Sequence, residues 1–461
     1  MKRNSLLLAA AALSTSAALA TAAVLPLANA TAAPAPTSAP SAAVSSQATV
    51  STQDPVPALT RAAHPLLSTK PAGQLRDLRP LVRMVGDARV VGIGEATHNS
   101  SEFFSVKHRI FQALVEQKGF TAFALEGAWS TGLSLDRYVV DGIGDPRAIM
   151  SREFQGSYEF WNVQEYLDLI EWMRSYNQTH TRKLRFVGDD LGYVGPETTN
   201  RVTSYVRATK PALLPEITRL YSGLPAQAEA APWSEAYLSK PLAERQNLEA
   251  AARRAEVLVK GLPASSERTW AVQNARAVWQ VAKFYSFDLQ DPKVLPQAMR
   301  FRDEVMAANV AWWTKTTGDK VLLSAHNGHI TYKSGMPSQY PKVQGEFLRE
   351  QLGKRYLNVG LSFDHGSFNA RNIEDPAGAM KAFTIGSAAP GNNEPTLDKV
   401  PYRDYFVDLR KLPRATKAWL EVERPTRHIG TAYPFPDSQI ALAPSYDLLI
   451  HLNKVTAAHL R

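Results

Sequence analysis

Glu95-Ala96-Thr97-His98 sets a carboxylate and an imidazole three residues apart, directly after Val91-Gly92-Ile93-Gly94. That pair suits general base work, because a carboxylate fixes the imidazole tautomer and raises its basicity. The glycines let backbone bend tightly or approach a ligand. Ser324-Ala325-His326-Asn327-Gly328-His329 gathers two of the chain's ten histidines within four residues. Such imidazoles can orient or protonate a substrate oxygen, hold a metal with Glu95 and His98, or sit as plain loop residues. A divalent metal such as zinc or manganese therefore stays among the readings, although a helical H-E-x-x-H is absent. Glu126 ends Phe123-Ala124-Leu125 and precedes Gly127, as a site carboxylate or as the cap of the next helix. Lys107 and Arg109 fall on a helix whose ordinary reading is a solvated face. Arg302-Asp303 reads as an exposed pair opening a helix. Arg302 and Trp129 are candidate substrate contacts.

Absent motifs narrow the chemistry. The chain has no Cys, which removes thiolate nucleophiles, Cys-ligated metals and disulfide staples. It has no G-x-S-x-G elbow, no G-x-x-x-x-G-K-[ST] loop and no G-x-G-x-x-G fingerprint. A hydrolase built from these residues activates water directly.

Five short apolar runs must position these groups: Arg89–Ile93, Thr121–Leu125, Leu184–Val187, Lys320–Ala325 and Tyr356–Ser362. Each reads as a buried strand preceded by a helix-like stretch. Helical spacing is clearest over Phe103–Gln117, Asn162–Tyr176 and Arg302–Thr314. Alternating strands and helices predict an α/β fold, a central largely parallel sheet flanked by helices. Ionisable residues follow every run: Glu95 and His98, Glu126, Asp189 and Asp190, His326 and His329, Asp364 and His365. Parallel strands would bring them to one rim, where such sheets bind ligands. Residues 210–287 read as helical, rich in Ala, Glu and Arg, and as an insertion over that rim or a layer on the sheet's far face.

Around this core the composition is ordinary for a globular protein, 44% hydrophobic and 21% charged. The net charge of +9 is small for 461 residues. No Lys/Arg cluster is interleaved with aromatics, so nucleic-acid binding has no support. Lys2, Arg3, the apolar run Leu6–Leu27 and Ala28-Asn29-Ala30 together read as a cleaved signal peptide over 1–30. Residues 31–54 read as a disordered Ala/Pro/Ser/Thr spacer. The catalytic domain then spans 55–461, in a secreted protein with no integral membrane segment after cleavage. Oligomeric state is not legible.

Taken as blocks in order, the residues resemble the erythromycin esterases. The blocks are Gly94-Glu95-Ala96-Thr97-His98, Glu102-Phe103-Phe104, Lys107-His108-Arg109 and Phe123-Ala124-Leu125-Glu126. Further along come Phe160-Trp161, Trp172 to Asn177, Arg302-Asp303, Met306 to Val310, Ala325 to His329, Gln344-Gly345, and Leu352-Gly353 with Tyr356. They cover about residues 85 to 365. The resemblance implies opening of a macrolactone ester with water as nucleophile, no cofactor, and a small ester or lactone as substrate. It implies His98 as general base with Glu95 beside it, and Glu126, His326 and His329 completing the site. Lys107 stands where some members carry a functional Arg. It keeps the charge and loses the planar fork. The resemblance extends to proteins described as similar to succinoglycan-biosynthesis proteins, and to a wider fold group with metal- and haem-linked members.

The expected reaction is ester or macrolactone hydrolysis. His98 takes a proton from water, Glu95 or Glu126 holds the developing charge, and His326, His329 or Lys107 donates to the oxyanion. Two rival readings fit the same sequence. One is a metal-dependent hydrolase or peptidase using the same His/Glu cluster. The other is a non-catalytic envelope protein that binds polysaccharide through Trp129, Tyr158 and Trp161.

Overall fold

Alternation within the apolar runs decides how the sheet is covered. Val91, Ile93, Phe123, Leu125 and Leu322 face one hydrophobic cluster, while Val90, Ala122, Ala124, Val321 and Leu323 face another. Successive strand residues point to opposite faces, so a run apolar at every position must be buried on both sides. Strands β2 (Val90–Ile93), β3 (Ala122–Ala128) and β5 (Val321–Ser324) are buried at every position. In this computed structural model residues 54–461 are described, apart from 72 and 376–377. The signal-peptide reading of 1–30 and the spacer up to residue 53 lie outside the described residues.

The five expected strands are all present and are neighbours. With β4 (Arg185–Asp190), β6 (Tyr356–Asn372) and β12 (Leu448–Val455), the order is β12-β6-β2-β5-β3-β4, parallel throughout. Antiparallel β8 (Asp404–Asp408) and then β1 (His64–Pro65) extend the β12 edge. Strands β7 (Lys381–Ile385) and β10 (Ala432–Tyr433) also pair with β6. A separate ribbon joins β9 (Arg424–Thr426) to β11 (Ser438–Ile440).

The three expected helices run over Ser101–Lys118, Gln164–Thr179 and Leu295–Thr317. The first ends at Gly119, whose φ of +67 gives the left-handed cap that glycine adopts without strain. Residues 214–285 form helices Leu214–Tyr221, Ala230–Leu238, Leu242–Lys260 and Ser266–Tyr285. The last of these packs along Leu242–Lys260 and Pro196–Thr209. Its end approaches the rim, where Tyr285 donates to the Gly192 carbonyl at 2.9 Å.

Strand order places the crevice. β2 and β5 are neighbours, yet the chain leaves β2 toward β3 and leaves β5 toward β6, in opposite directions. Such a reversal opens a cleft beyond the strands' carboxyl ends. Strand β6 departs from expectation. It runs on to Asn372, so Asp364 and His365 lie inside it and not in a rim loop. Pairing with β12, β7 and β10 carries the strand past the rim. Asp364 is spent on Ser387 Oγ, 2.6 Å away, and on His365 Nδ1, 3.0 Å away.

Candidate active site

Glu95 and His98 follow β2, and His326 and His329 follow β5. One backbone fit locks the two loops together. Asn327 binds the Leu361 backbone through both ends of its amide, at 2.7 and 3.0 Å. A Cβ on Gly94 would lie 2.0 Å from Asn327 Oδ1. Gly94 therefore makes room for the other motif, and the close approach is by protein and not by a ligand. Glu126 sits within β3, where the register with β4 shifts between Leu125 and Ala128. Irregularities of this kind re-aim side chains next to sites.

On the β2 side, Glu95 is fully buried and divides its two oxygens. Oε1 lies 2.9 Å from His98 Nδ1, and Oε2 takes a short bond from Lys107 Nζ. Lys107 also donates to Ser324 Oγ at 2.9 Å, which meets Tyr166 OH at 2.9 Å. Burial pulls the Lys107 ammonium below its ordinary range, and the Glu95 carboxylate beside it works against that. With Glu95 accepting from Nδ1–H, the neutral His98 ring carries its lone pair on Nε2. That nitrogen has no partner among the described residues, and His98 borders a cavity. This is the arrangement of an oriented general base.

On the β3 side, Glu126 Oε1 accepts from Arg302 Nη2 at 2.9 Å and lies 3.3 Å from His329 Nε2. Its Oε2 accepts the His326 backbone N–H at 2.9 Å. Burial alone would raise the Glu126 carboxyl. His329, His98 and Arg302 outweigh it and hold the group well below the usual carboxylate range. His329 Nδ1 lies 2.7 Å from Asp303 Oδ1, so both ring nitrogens face carboxylates. Burial disfavours the imidazolium, but Asp303 and Glu126 prevail and push the His329 value well up. Arg302 Nη1 comes within 3.3 Å of the same Nε2. In that donor-to-donor approach Glu126 Oε1 ties the two side chains together, accepting from Arg302 through Nη2 and facing His329 Nε2. Behind this group Asp189 accepts from Gln344 Nε2 at 2.7 Å. Burial and neighbouring Asp190 push the Asp189 carboxyl well up.

His326 stands between the two sides, its ring centroid 4.8 Å from that of His98. Its Nδ1 accepts from Gly328 N–H at 3.1 Å, which puts the proton on Nε2. That Nε2 is buried without a partner among the described residues. Burial and the neighbouring His98 and His428 hold the ring well below the ordinary histidine value. It is therefore a neutral donor with an unmet hydrogen bond. Such a group costs about 1–3 kcal/mol when left unsatisfied, and a water or substrate oxygen would satisfy it. Apolar walls come from Tyr158, Trp161, Phe284, Met336, Tyr340 and Phe435.

Of the residues expected from sequence, His98, Glu126, His326, His329 and Arg302 border this one cavity. Glu95 stands directly behind His98. Three readings need correction. Trp129 does not line the cavity. The helix Trp129–Asp141 begins as soon as β3 ends, which turns the ring against Trp312 and Trp313 and its Nε1 to Asn274 Oδ1 at 3.0 Å. Lys107 is not on a solvated helix face and does not reach the cavity, being consumed behind Glu95. Asp303 is fully buried in the middle of its helix, not an exposed partner of Arg302. Arg302 itself spans Asp190, at 2.6 Å from Nη2, and Glu126, so its fork holds a protein carboxylate. Sequence reasoning missed the His329–Asp303 bond and the cavity residue His428. The only signal for the first was an acidic residue on the inner face of a helix.

The residues do not suit a divalent cation. Both oxygens of Glu95 and both of Glu126 are already taken by donors, and Lys107, Arg302 and charged His329 set three positive groups around them. No group of three His, Asp or Glu side chains among the described residues is arranged to hold a metal.

Comparison with known proteins agrees with this architecture. The erythromycin esterase family model matches residues 115–455. Erythromycin esterase type II of Escherichia coli is 23% identical over 375 residues, 76% of this chain and 87% of its own. A solved succinoglycan biosynthesis protein superposes with a TM-score of 0.78 at 29% identity, across 90% of this chain and 100% of that one. A mutant erythromycin esterase in its open conformation superposes with a TM-score of 0.67 at 17% identity, across 85% of this chain and 97% of that one. That last likeness is one of fold alone. The family match leaves out β1, β2, Glu95 and His98, while strands β3 to β12 and the later blocks fall inside it. On that match, over well above half of its length, the chain belongs to the erythromycin esterase family.

Proposed function

We propose that this protein hydrolyses an ester or lactone, with macrolactones among the candidate substrates, by direct activation of water. The observation that carries the reading is the Glu95–His98 pair. Its geometry leaves one basic nitrogen at the cavity, 4.8 Å ring to ring from His326, a neutral donor with no other partner. Water held at His98 Nε2 gives up a proton as its oxygen attacks the carbonyl carbon. The carbonyl electrons move onto oxygen, which accepts from His326 Nε2–H. Collapse breaks the bond to the alkoxy group, which takes the proton back from His98. Donors aimed at such an oxyanion are typically worth about 3 kcal/mol each. Apolar walls such as Trp161 and Phe284 would shelter the acyl or lactone chain. No metal or cofactor takes part in this reading.

The site of action we propose is outside the cytoplasm, on the basic start and apolar run of residues 1–30. Among the described residues no helix is long and apolar enough to cross a membrane. The test is incubation with aryl esters and with macrolides, followed by mass spectrometry. The expected result is acid release from at least one ester, or addition of one water to an intact macrolactone. No turnover across both panels by well-folded protein would overturn the reading.

A further inference from the structure

We propose that His428 is a second hydrogen-bond donor to the substrate oxygen, acting beside His326 and opposite the base His98. This rests on the hydrolase reading above and extends it to a residue outside both histidine motifs. His428 lies in the loop between β9 and β10 and borders the cavity. The loop is pinned to the first motif, because Ile429 N–H donates to the Ala96 carbonyl at 2.7 Å. Gly430 faces the His98 ring, its would-be Cβ 4.0 Å from Cδ2. The His428 and His326 rings stand edge to face, 5.7 Å between centroids. Two donors at that spacing can reach one oxygen.

Partners sort the protons. Asn327 Nδ2 lies 3.5 Å from His428 Nε2, and Tyr446 OH lies 3.4 Å from it. The Asn327 amide cannot turn over, since both its ends are bound to Leu361. Its NH2 can only donate, so Nε2 accepts and the proton sits on Nδ1. Nδ1 has no partner among the described residues. Burial lowers the ring to about 4, which keeps it neutral at ordinary pH. Three of the four cavity imidazoles thus divide by partner. A carboxylate on Nδ1 makes His98 a base. A backbone N–H on Nδ1 makes His326 a donor through Nε2. A side-chain amide on Nε2 makes His428 a donor through Nδ1. In the reaction His428 keeps its proton throughout, and only the hydrogen bond strengthens as the carbonyl oxygen gains charge.

Two measurements on the full chain test this. The first is the imidazole nitrogen NMR spectrum at pH 7, with His428→Asn used for assignment. A neutral Nδ1–H tautomer is expected, and an Nε2–H tautomer or an imidazolium overturns the proposal whatever the activity. The second is kinetics on p-nitrophenyl acetate. His428→Ala should lower kcat about 100- to 1,000-fold with KM within about threefold. His428→Asn, whose amide N–H falls near the place of Nδ1, should recover part of kcat. An active wild type with an Ala variant within threefold of its kcat, or a loss confined to KM, overturns the role of His428 alone. A wild type that turns over no ester defeats the hydrolase reading and the donor role together.

Discussion

Glu95–His98–Lys107 and Glu126–His329–Arg302 are each a carboxylate, an imidazole and a cation, set on opposite sides of one cavity. They do opposite things to their histidine. His98 meets one carboxylate, through Nδ1, and its other nitrogen is free. His329 meets two, Asp303 on Nδ1 and Glu126 on Nε2, and is held as a cation. Between these two rings the type of neighbour is the same, and the number of carboxylates each faces separates base from cation.

Breaking the first trio should have the largest effect. His98→Ala is expected to cut hydrolysis by about 100 to 10,000-fold, the range for loss of a general base. Steady-state rates on a responsive ester check this, and activity within threefold of wild type would remove His98 from the mechanism. Breaking the second should cost stability as well as rate. Glu126→Gln leaves Arg302 and His329 as buried charges short of a partner, a loss of about 3–5 kcal/mol. Denaturant unfolding at pH 7 measures it, and an unchanged midpoint would show that the trio contributes nothing net.

Asp303→Asn sharpens the contrast by returning His329 to a single carboxylate. A histidine with a raised folded value contributes stability in full below about 6.5, its ordinary value, and loses it as pH rises through the folded one. Removing Asp303 lowers that folded value. The alkaline loss of stability should therefore start at the same pH in both proteins but be smaller and complete at lower pH in the variant, while below about pH 6 neither responds through this group. Melting temperatures from pH 5 to 9 show this directly, and parallel curves would mean that Asp303 does not hold the proton. The smallest expected effect is that of chelation. With every Glu95 and Glu126 oxygen already occupied, exhaustive chelator treatment should change activity by less than about twofold. Activity lost to chelator and restored by zinc or manganese would reverse the charge argument.

The fold was legible where strands are buried on both faces, because an unbroken apolar run such as Val321–Leu323 needs no tertiary knowledge to read. Glu95, His98, His326 and His329 were legible for a related reason: each stands within five residues of such a run. What lay beyond reading was which group turns inward from a helix. Lys107 and Asp303 look like exposed charges by type, and only the fold supplies the Glu95 and His329 that make their burial tolerable. Trp129 looked like a substrate platform, but its position at the first turn after β3 gave it to the core. His428 had no motif at all. Its loop reaches the cavity through backbone pairing of Ile429 with Ala96, which no local pattern announces.

The position of β12 has a consequence for how the molecule is made. The strand nearest the C-terminal end of the described chain is inserted between β6 and β8 instead of being added at an edge. Its neighbour β8 holds β1, which starts near residue 64, so contacts of very long sequence separation close the sheet. Topologies of this kind fold slowly, because loop-closure entropy is spent before distant contacts repay it. A chain released up to residue 440 would hold both histidine motifs, yet would leave the facing edges of β6 and β8 unpaired. Such edges invite pairing with other chains. Limited proteolysis or pulse-labelled hydrogen exchange during refolding should find β6 and β8 gaining protection only together with Leu448–Val455.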